Sequence, residues 1–105
     1  MKLMTKALEN KFKKVGNQEN EKNPLVIAKF FNPAGGATWY ATEWDPETNH
    51  MFGFVAGLTP GGDEWGYTDM TELAQVRGDG FHLGIERDLH FDPKPADQIA
   101  AITLY

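Results

Sequence analysis

Between residues 24 and 62 the chain is cut by proline, glycine and asparagine into three short β-prone runs, and this punctuation limits the fold more than any other feature. Residues 25–31, 37–44 and 51–58 are rich in apolar, aromatic and β-branched side chains. They are joined by Asn32-Pro33-Ala34-Gly35-Gly36 and Asp45-Pro46-Glu47-Thr48-Asn49, both of which carry the residue types that turns use. A parallel crossover needs about a dozen residues or more, so connections this short force neighbouring runs to pair antiparallel. Thr59-Pro60-Gly61-Gly62 breaks the chain again, and residues 63–68 form a further short strand around Trp65 and Tyr67.

Helices flank this block. Met4, Leu8, Phe12 and Val15 recur at helical spacing, with Thr5 placed to cap the start and Gly16 to end the run, which predicts a helix over 5–15. Residues 16–24 are polar and read as a mobile loop. Asp69, with Glu72 three residues on, makes an aspartate version of the capping box for a helix over 70–77, stopped by Gly78-Asp79-Gly80. Residues 83–91 then read as a strand, with Ile85, Leu89 and Phe91 on one side and Pro93 and Pro95 as its end. The tail, 93–105, is apolar enough to pack back on the domain, as helix or as strand. The expectation is one α+β domain over residues 1–105: an antiparallel sheet of four or five strands with two short helices packed on it.

Composition removes whole classes of chemistry. With 105 residues, 41% hydrophobic and 12% aromatic, the chain can build a core without covalent staples. It has no cysteine, which excludes disulfides, zinc-thiolate sites, iron-sulfur clusters and thiol catalysis, and suits a reducing cytoplasm. Serine is also missing, and with it the serine hydrolases. The net charge of -5 has the wrong sign for direct nonspecific nucleic-acid binding. It is unevenly spread: seven lysines against three glutamates make residues 1–31 basic, whereas Arg77, Arg87 and Lys94 face twelve acids in residues 32–105. No apolar run is long enough for a signal peptide or a membrane span, so a cytoplasmic protein is expected.

Five strings then stand out together: Ala28-Lys29-Phe30-Phe31-Asn32-Pro33, Thr38-Trp39-Tyr40-Ala41-Thr42-Glu43, Phe52-Gly53-Phe54-Val55, Glu64-Trp65-Gly66-Tyr67 and Ile85-Glu86-Arg87-Asp88-Leu89-His90-Phe91. In this order and spacing they resemble the domain of unknown function 2958 family, over about residues 2–95. The chain departs from that pattern at Ala34-Gly35-Gly36-Ala37, where family members often carry a tryptophan. The resemblance implies a setting among bacterial plasmids, phages and other mobile elements. It implies no activity, since the family has none established.

Three constellations bear on function. Glu86, Asp88 and His90 alternate along the strand expected at 83–91, which would put two carboxylates and an imidazole on one face, as a divalent metal requires. A plain solvated face is the simpler reading, because metal sites usually draw ligands from several elements; no metal and no cofactor are expected. Arg87 would lie on the opposite, apolar side and is expected to form a structural ion pair with Glu43, Glu64 being the other candidate. The string Gly78-Asp79-Gly80-Phe81-His82-Leu83-Gly84 lacks the spacing and the strand-to-helix context of a dinucleotide loop. The third constellation is aromatic. Trp39, Tyr40, Trp44, Phe52, Phe54, Trp65 and Tyr67 form the densest ring group, which alternation divides between core and surface. Trp39, Tyr40, Trp65 and Tyr67 beside Glu43, Asp45, Asp63 and Glu64 make a candidate partner-binding surface, in which large rigid rings are rimmed by carboxylates.

Two functions of different class follow. The first is a non-catalytic accessory protein of a mobile element that engages a host or element-encoded protein through this acidic, aromatic surface. Its extreme form is inhibition of a host defence nuclease by nucleic-acid mimicry. The alternative is a small metal-dependent hydrolase using Glu86, Asp88 and His90.

Overall fold

A computed structural model describes residues 2–76 and 84–105. The chain runs through α1 (Lys6–Val15), β1 (Leu25–Val26), β2 (Ala28–Phe31), β3 (Thr38–Asp45), β4 (His50–Ala56), β5 (Glu64–Asp69), α2 (Met70–Gln75), β6 (Glu86–Arg87), β7 (Lys94–Pro95) and a 3-10 turn at Ala96–Gln98. A five-stranded antiparallel sheet has the order β5-β4-β3-β2-β6, and β1 pairs with β7 in a separate two-stranded ladder. The α+β class and the antiparallel sheet are those the short connections dictate. The expected end of α2 at Arg77, the Gly78-Asp79-Gly80 stop, the glycine-rich string up to Leu83 and the first residue of the strand expected at 83–91 lie outside the described residues.

Helix ends obey their local chemistry. The Thr5 side chain accepts a hydrogen bond from the Leu8 N–H at 3.3 Å, and Gly16, at φ 74°, ends α1 in a conformation that favours glycine. Asp69 caps α2 by accepting from the Thr71 and Glu72 N–H groups. The polar hairpin turn is closed by Asp45, which accepts from the Glu47 N–H at 2.9 Å. Asn49, at positive φ, then ties that turn to α2: its backbone carbonyl accepts from the Met70 N–H, and its side chain accepts from the Trp44 indole and donates to Thr71.

Strand alternation sends side chains to two faces, and a β-bulge decides who goes where. The register of β3 on β4 shifts between Ala41 and Glu43, leaving Thr42 as the extra residue. On one face Phe30, Trp39, Ala41 and Met51 pack with Leu3, Leu8 and Phe12 of the N-terminal helix region and with Met70 and Leu73 of α2. On the other, Tyr40, Phe54 and Ala56 pack with Val26, Ala96, Trp65, Phe91, Ile99 and Ile102. The bulge also explains Gly53: a Cβ there would collide with the Tyr40 carbonyl, so the backbones approach closely only because position 53 has no side chain.

Two expectations are corrected, and the conformation of the tail, left open above, is decided. The run 25–31 is two strands, because Val26 pairs with β7 while Ala28 pairs with β3, and the Ile27 N–H bonds the Ala41 carbonyl between them. The strand expected at 83–91 is reduced to Glu86–Arg87; after the Asp88 N–H bonds the Lys29 carbonyl, the chain turns, with the Asp88 side chain accepting from the His90 N–H and the Phe91 N–H bonding the Asp88 carbonyl. The tail is both short strand and 3-10 turn, anchored where the Ala96 N–H meets the Pro24 carbonyl and the Asp97 N–H meets the Asn23 side chain.

Candidate functional site

The second face of the sheet is covered only in part, and a groove opens where the cover stops. Its floor is aromatic. Phe52 of β4 lies stacked near Trp65 of β5, with centroids 6.0 Å apart, and edge-on to Tyr67 at 5.0 Å. Tyr67 is 78% exposed. One wall comes from residues 17–22, including Glu19, Glu21 and Lys22; another comes from Leu104 and Tyr105; Glu43, beside Gln18 and Glu19, also lines the groove. The groove has a volume of about 540 Å³ and is open to solvent.

Two polar side chains, Gln18 and Trp65, hold these walls in place. Gln18, expected within a mobile loop, is 8% exposed, and its amide donates to the Leu25 and Thr42 carbonyls at 2.9 and 2.8 Å while accepting from the Leu25 N–H at 2.7 Å. The Thr42 carbonyl is free to accept because the bulge takes it out of the regular ladder. The indole N–H of Trp65 donates to the Thr103 carbonyl at 2.8 Å, fixing the tail beside the groove. Burial pushes the Glu43 carboxyl above its ordinary pKa; the Gln18 backbone N–H opposes that shift and the Glu19 charge adds to it.

The residues expected from the sequence divide into groups. Glu43, Trp65 and Tyr67 meet in the groove. Trp39 and Tyr40 do not: they are 5% and 8% exposed, Trp39 packed under the helices and lining a hollow on the opposite face, Tyr40 beneath the tail. Asp45 closes the β3–β4 turn, and Asp63 accepts from the Gly57 N–H at 2.9 Å, so these two carboxylates serve turn geometry. Glu64 is exposed on the opposite face, paired across from Val55. Phe52, Gln18, Glu19, Glu21 and Tyr105 complete the groove, and no spacing rule in the sequence joins them.

Arg87 and Glu43 are placed apart. Arg87 sits on β6 opposite Phe30, on the helix-covered face, and its guanidinium donates to the Lys2 and Leu3 carbonyls at 3.2 and 2.9 Å. It therefore ties the segment preceding α1 to the sheet edge. The expected pair with Glu43 does not form because the two residues lie on opposite faces of the sheet. Lys29 meets Asp88 at 3.7 Å. Glu86, Asp88 and His90 do not line one strand face, since the turn at Asp88 ends the alternation; among the described residues no three histidine or acidic groups converge as a metal requires. Among the same residues no helix is long and apolar enough to cross a membrane.

A comparison with curated proteins and with solved structures finds no match. The profile of the family described as Protein of unknown function (DUF2958) matches residues 2–101, which takes in both layers of the fold, the groove floor and all five strings that first suggested the likeness, and the chain belongs to that family.

Proposed function

We propose that the protein acts by binding, without catalysis, a positively charged part of a protein partner in the groove beside β5. The observation that carries this reading is the setting of Tyr67: a ring 78% exposed, supported edge-on by Phe52 and flanked by the carboxylates of Glu19, Glu21 and Glu43. An exposed ring held rigid by neighbours loses little entropy on binding and offers a large contact area. Its face attracts an arginine or lysine head group, and the nearby carboxylates steer that group inward. Lys22 is the only counter-charge among the described groove residues. The setting suggested by the resemblance, an accessory protein of a mobile element that engages a host protein or inhibits a defence nuclease by charge mimicry, accords with this groove and with the net charge of -5. The hydrolase alternative has less support, because the alternation it needs stops after Arg87 and Asp88 to His90 form a turn.

Affinity capture from the native host, run in parallel with the wild-type chain and with Tyr67→Ala, tests the reading. A protein retained by the first and lost by the second is expected. Its association with the wild type should slow when Glu19, Glu21 and Glu43 become glutamine and should be unmoved when Asp45 and Asp63 become asparagine. Identical retention by Tyr67→Ala would place the site elsewhere.

A further inference from the structure

β5 is an outer strand. It pairs with β4 on one side, and among the described residues no strand pairs with the other. Its sequence, Glu64-Trp65-Gly66-Tyr67-Thr68-Asp69, contains neither the proline nor the lysine that commonly blunts such an edge. Outward-facing N–H and C=O groups of an edge strand are ready to bond a further strand.

Hollows lie on both faces of β5. One is the groove already described, on the side of Trp65 and Tyr67. The other, of about 500 Å³, lies on the side of Glu64, Gly66 and Thr68 and reaches Glu72 of α2. Gly66 keeps it open: a Cβ there would meet nothing within 4 Å, so no packing demand explains the missing side chain. Successive side chains of an added strand point to opposite faces, and they would enter the two hollows in turn. Each hollow has carboxylates at its edge, Glu19 and Glu43 on one side, Glu64 and Glu72 on the other.

Charge selects the occupant. If a second copy of β5 paired antiparallel over its whole length, Glu64 would face Asp69 of the other copy at both ends, a like-charge pairing that disfavours self-association. A basic strand reverses that sign. Resting on the groove reading above, we propose that the free edge of β5 takes up an extended basic peptide segment of the partner as a sixth strand, its alternate side chains seated in the two acid-edged hollows.

The probe is a fluorescein-labelled synthetic hexapeptide of sequence arginine-arginine-valine-valine-arginine-arginine, which presents arginine to both faces of an added strand, titrated into the full chain and followed by anisotropy. A glutamate-valine version serves as the charge control, and two versions N-methylated at odd or at even residues serve as backbone controls. The arginine peptide should bind and the glutamate peptide should be weaker by about tenfold or more. One N-methylated set should lose about tenfold while the other stays close to the parent, because only alternate N–H groups face the neighbouring strand. Gly66→Leu, which fills the second hollow, should also weaken binding in a chain that still folds. Equal binding of both N-methylated peptides would overturn strand addition and leave the groove reading standing. Absence of peptide binding, with partner capture still sensitive to Tyr67→Ala, would do the same. Insensitivity of capture to Tyr67→Ala as well would remove both. A dimer whose formation competes with the peptide would assign the edge to a second copy and overturn the proposal.

Discussion

On one face of the five-stranded sheet, Leu8 and Phe12 of α1 and Met70 and Leu73 of α2 close over Phe30, Trp39 and Met51; on the other, among the described residues, the short β1–β7 ladder, a 3-10 turn and irregular chain lie over Tyr40, Phe54 and Trp65. A helix presents an apolar stripe at fixed spacing, so two capped helices bury the middle of their face and leave it open toward β5. An irregular tail has no such period. It covers the sheet where Ala96, Ile99 and Ile102 reach it and leaves Phe52 half-buried and Tyr67 exposed beyond. The comparison teaches that stability is concentrated under the helices and that the candidate site lies where the second cover ends.

The sharpest way to break this comparison is to remove one anchor from each face. Phe12→Ala should cost about 3–5 kcal/mol in urea unfolding, since a buried ring leaves a cavity that its neighbours cannot fill. Tyr67→Ala should change stability by about 0.5 kcal/mol or less, as expected of an exposed side chain. Similar losses for the two would contradict the division of roles.

Gln18→Ala ranks next. It removes the partners of the Leu25 N–H and of the Leu25 and Thr42 carbonyls, and should cost about 2–3 kcal/mol because part-buried backbone groups are left unsatisfied. Hydrogen exchange at Leu25 should accelerate, marking a loosened groove wall. Unchanged protection there would show that residues 16–24 are held by something else.

Trp65→Phe keeps the ring contacts with Phe52 and Phe54 but loses the bond to the Thr103 carbonyl. A loss of about 1 kcal/mol is expected, together with faster proteolysis after residue 99. A tail equally resistant in this variant would mean that Ile99 and Ile102 hold it alone.

The smallest effect belongs to Glu43→Gln and is read through pH. Because burial raises the Glu43 carboxyl, the folded chain binds its proton more tightly than the unfolded chain does. The contribution of this group to stability is therefore best below the ordinary carboxylate value and declines as pH rises through the folded value. Glu43→Gln should be slightly more stable than the wild type near neutral pH, with the difference vanishing in acid. A gain that persists unchanged at low pH would assign it to a cause other than the charge.

Much of the fold is legible in the sequence, for reasons that act within a few residues. Five-residue turns leave no length for a crossover, so β2, β3 and β4 must pair antiparallel. Thr5, Gly16 and Asp69 mark helix ends because their side chains, or the lack of one, satisfy nearby backbone groups. The likeness to the family is carried by the same local strings.

The site was legible only in fragments. Simple alternation along β3 would place Glu43 on the face of Trp39 and Ala41, and Trp44 opposite. The bulge at Thr42 reverses both, sending Glu43 to the groove and Trp44 toward the helices. Residues Gln18 and Thr42 are 24 positions apart, and the 38 positions from Trp65 to Thr103 likewise close only through the whole fold. The sequence by itself determined the antiparallel pairing of β2, β3 and β4, the capped helices and the family, because each rests on the stereochemistry of neighbouring residues. Only the tertiary structure decided which acids join which rings, which carbonyls hold Arg87 and where the tail stops covering the sheet, because those contacts depend on register and long-range closure, and a single extra residue in one strand is enough to exchange the faces of a sheet.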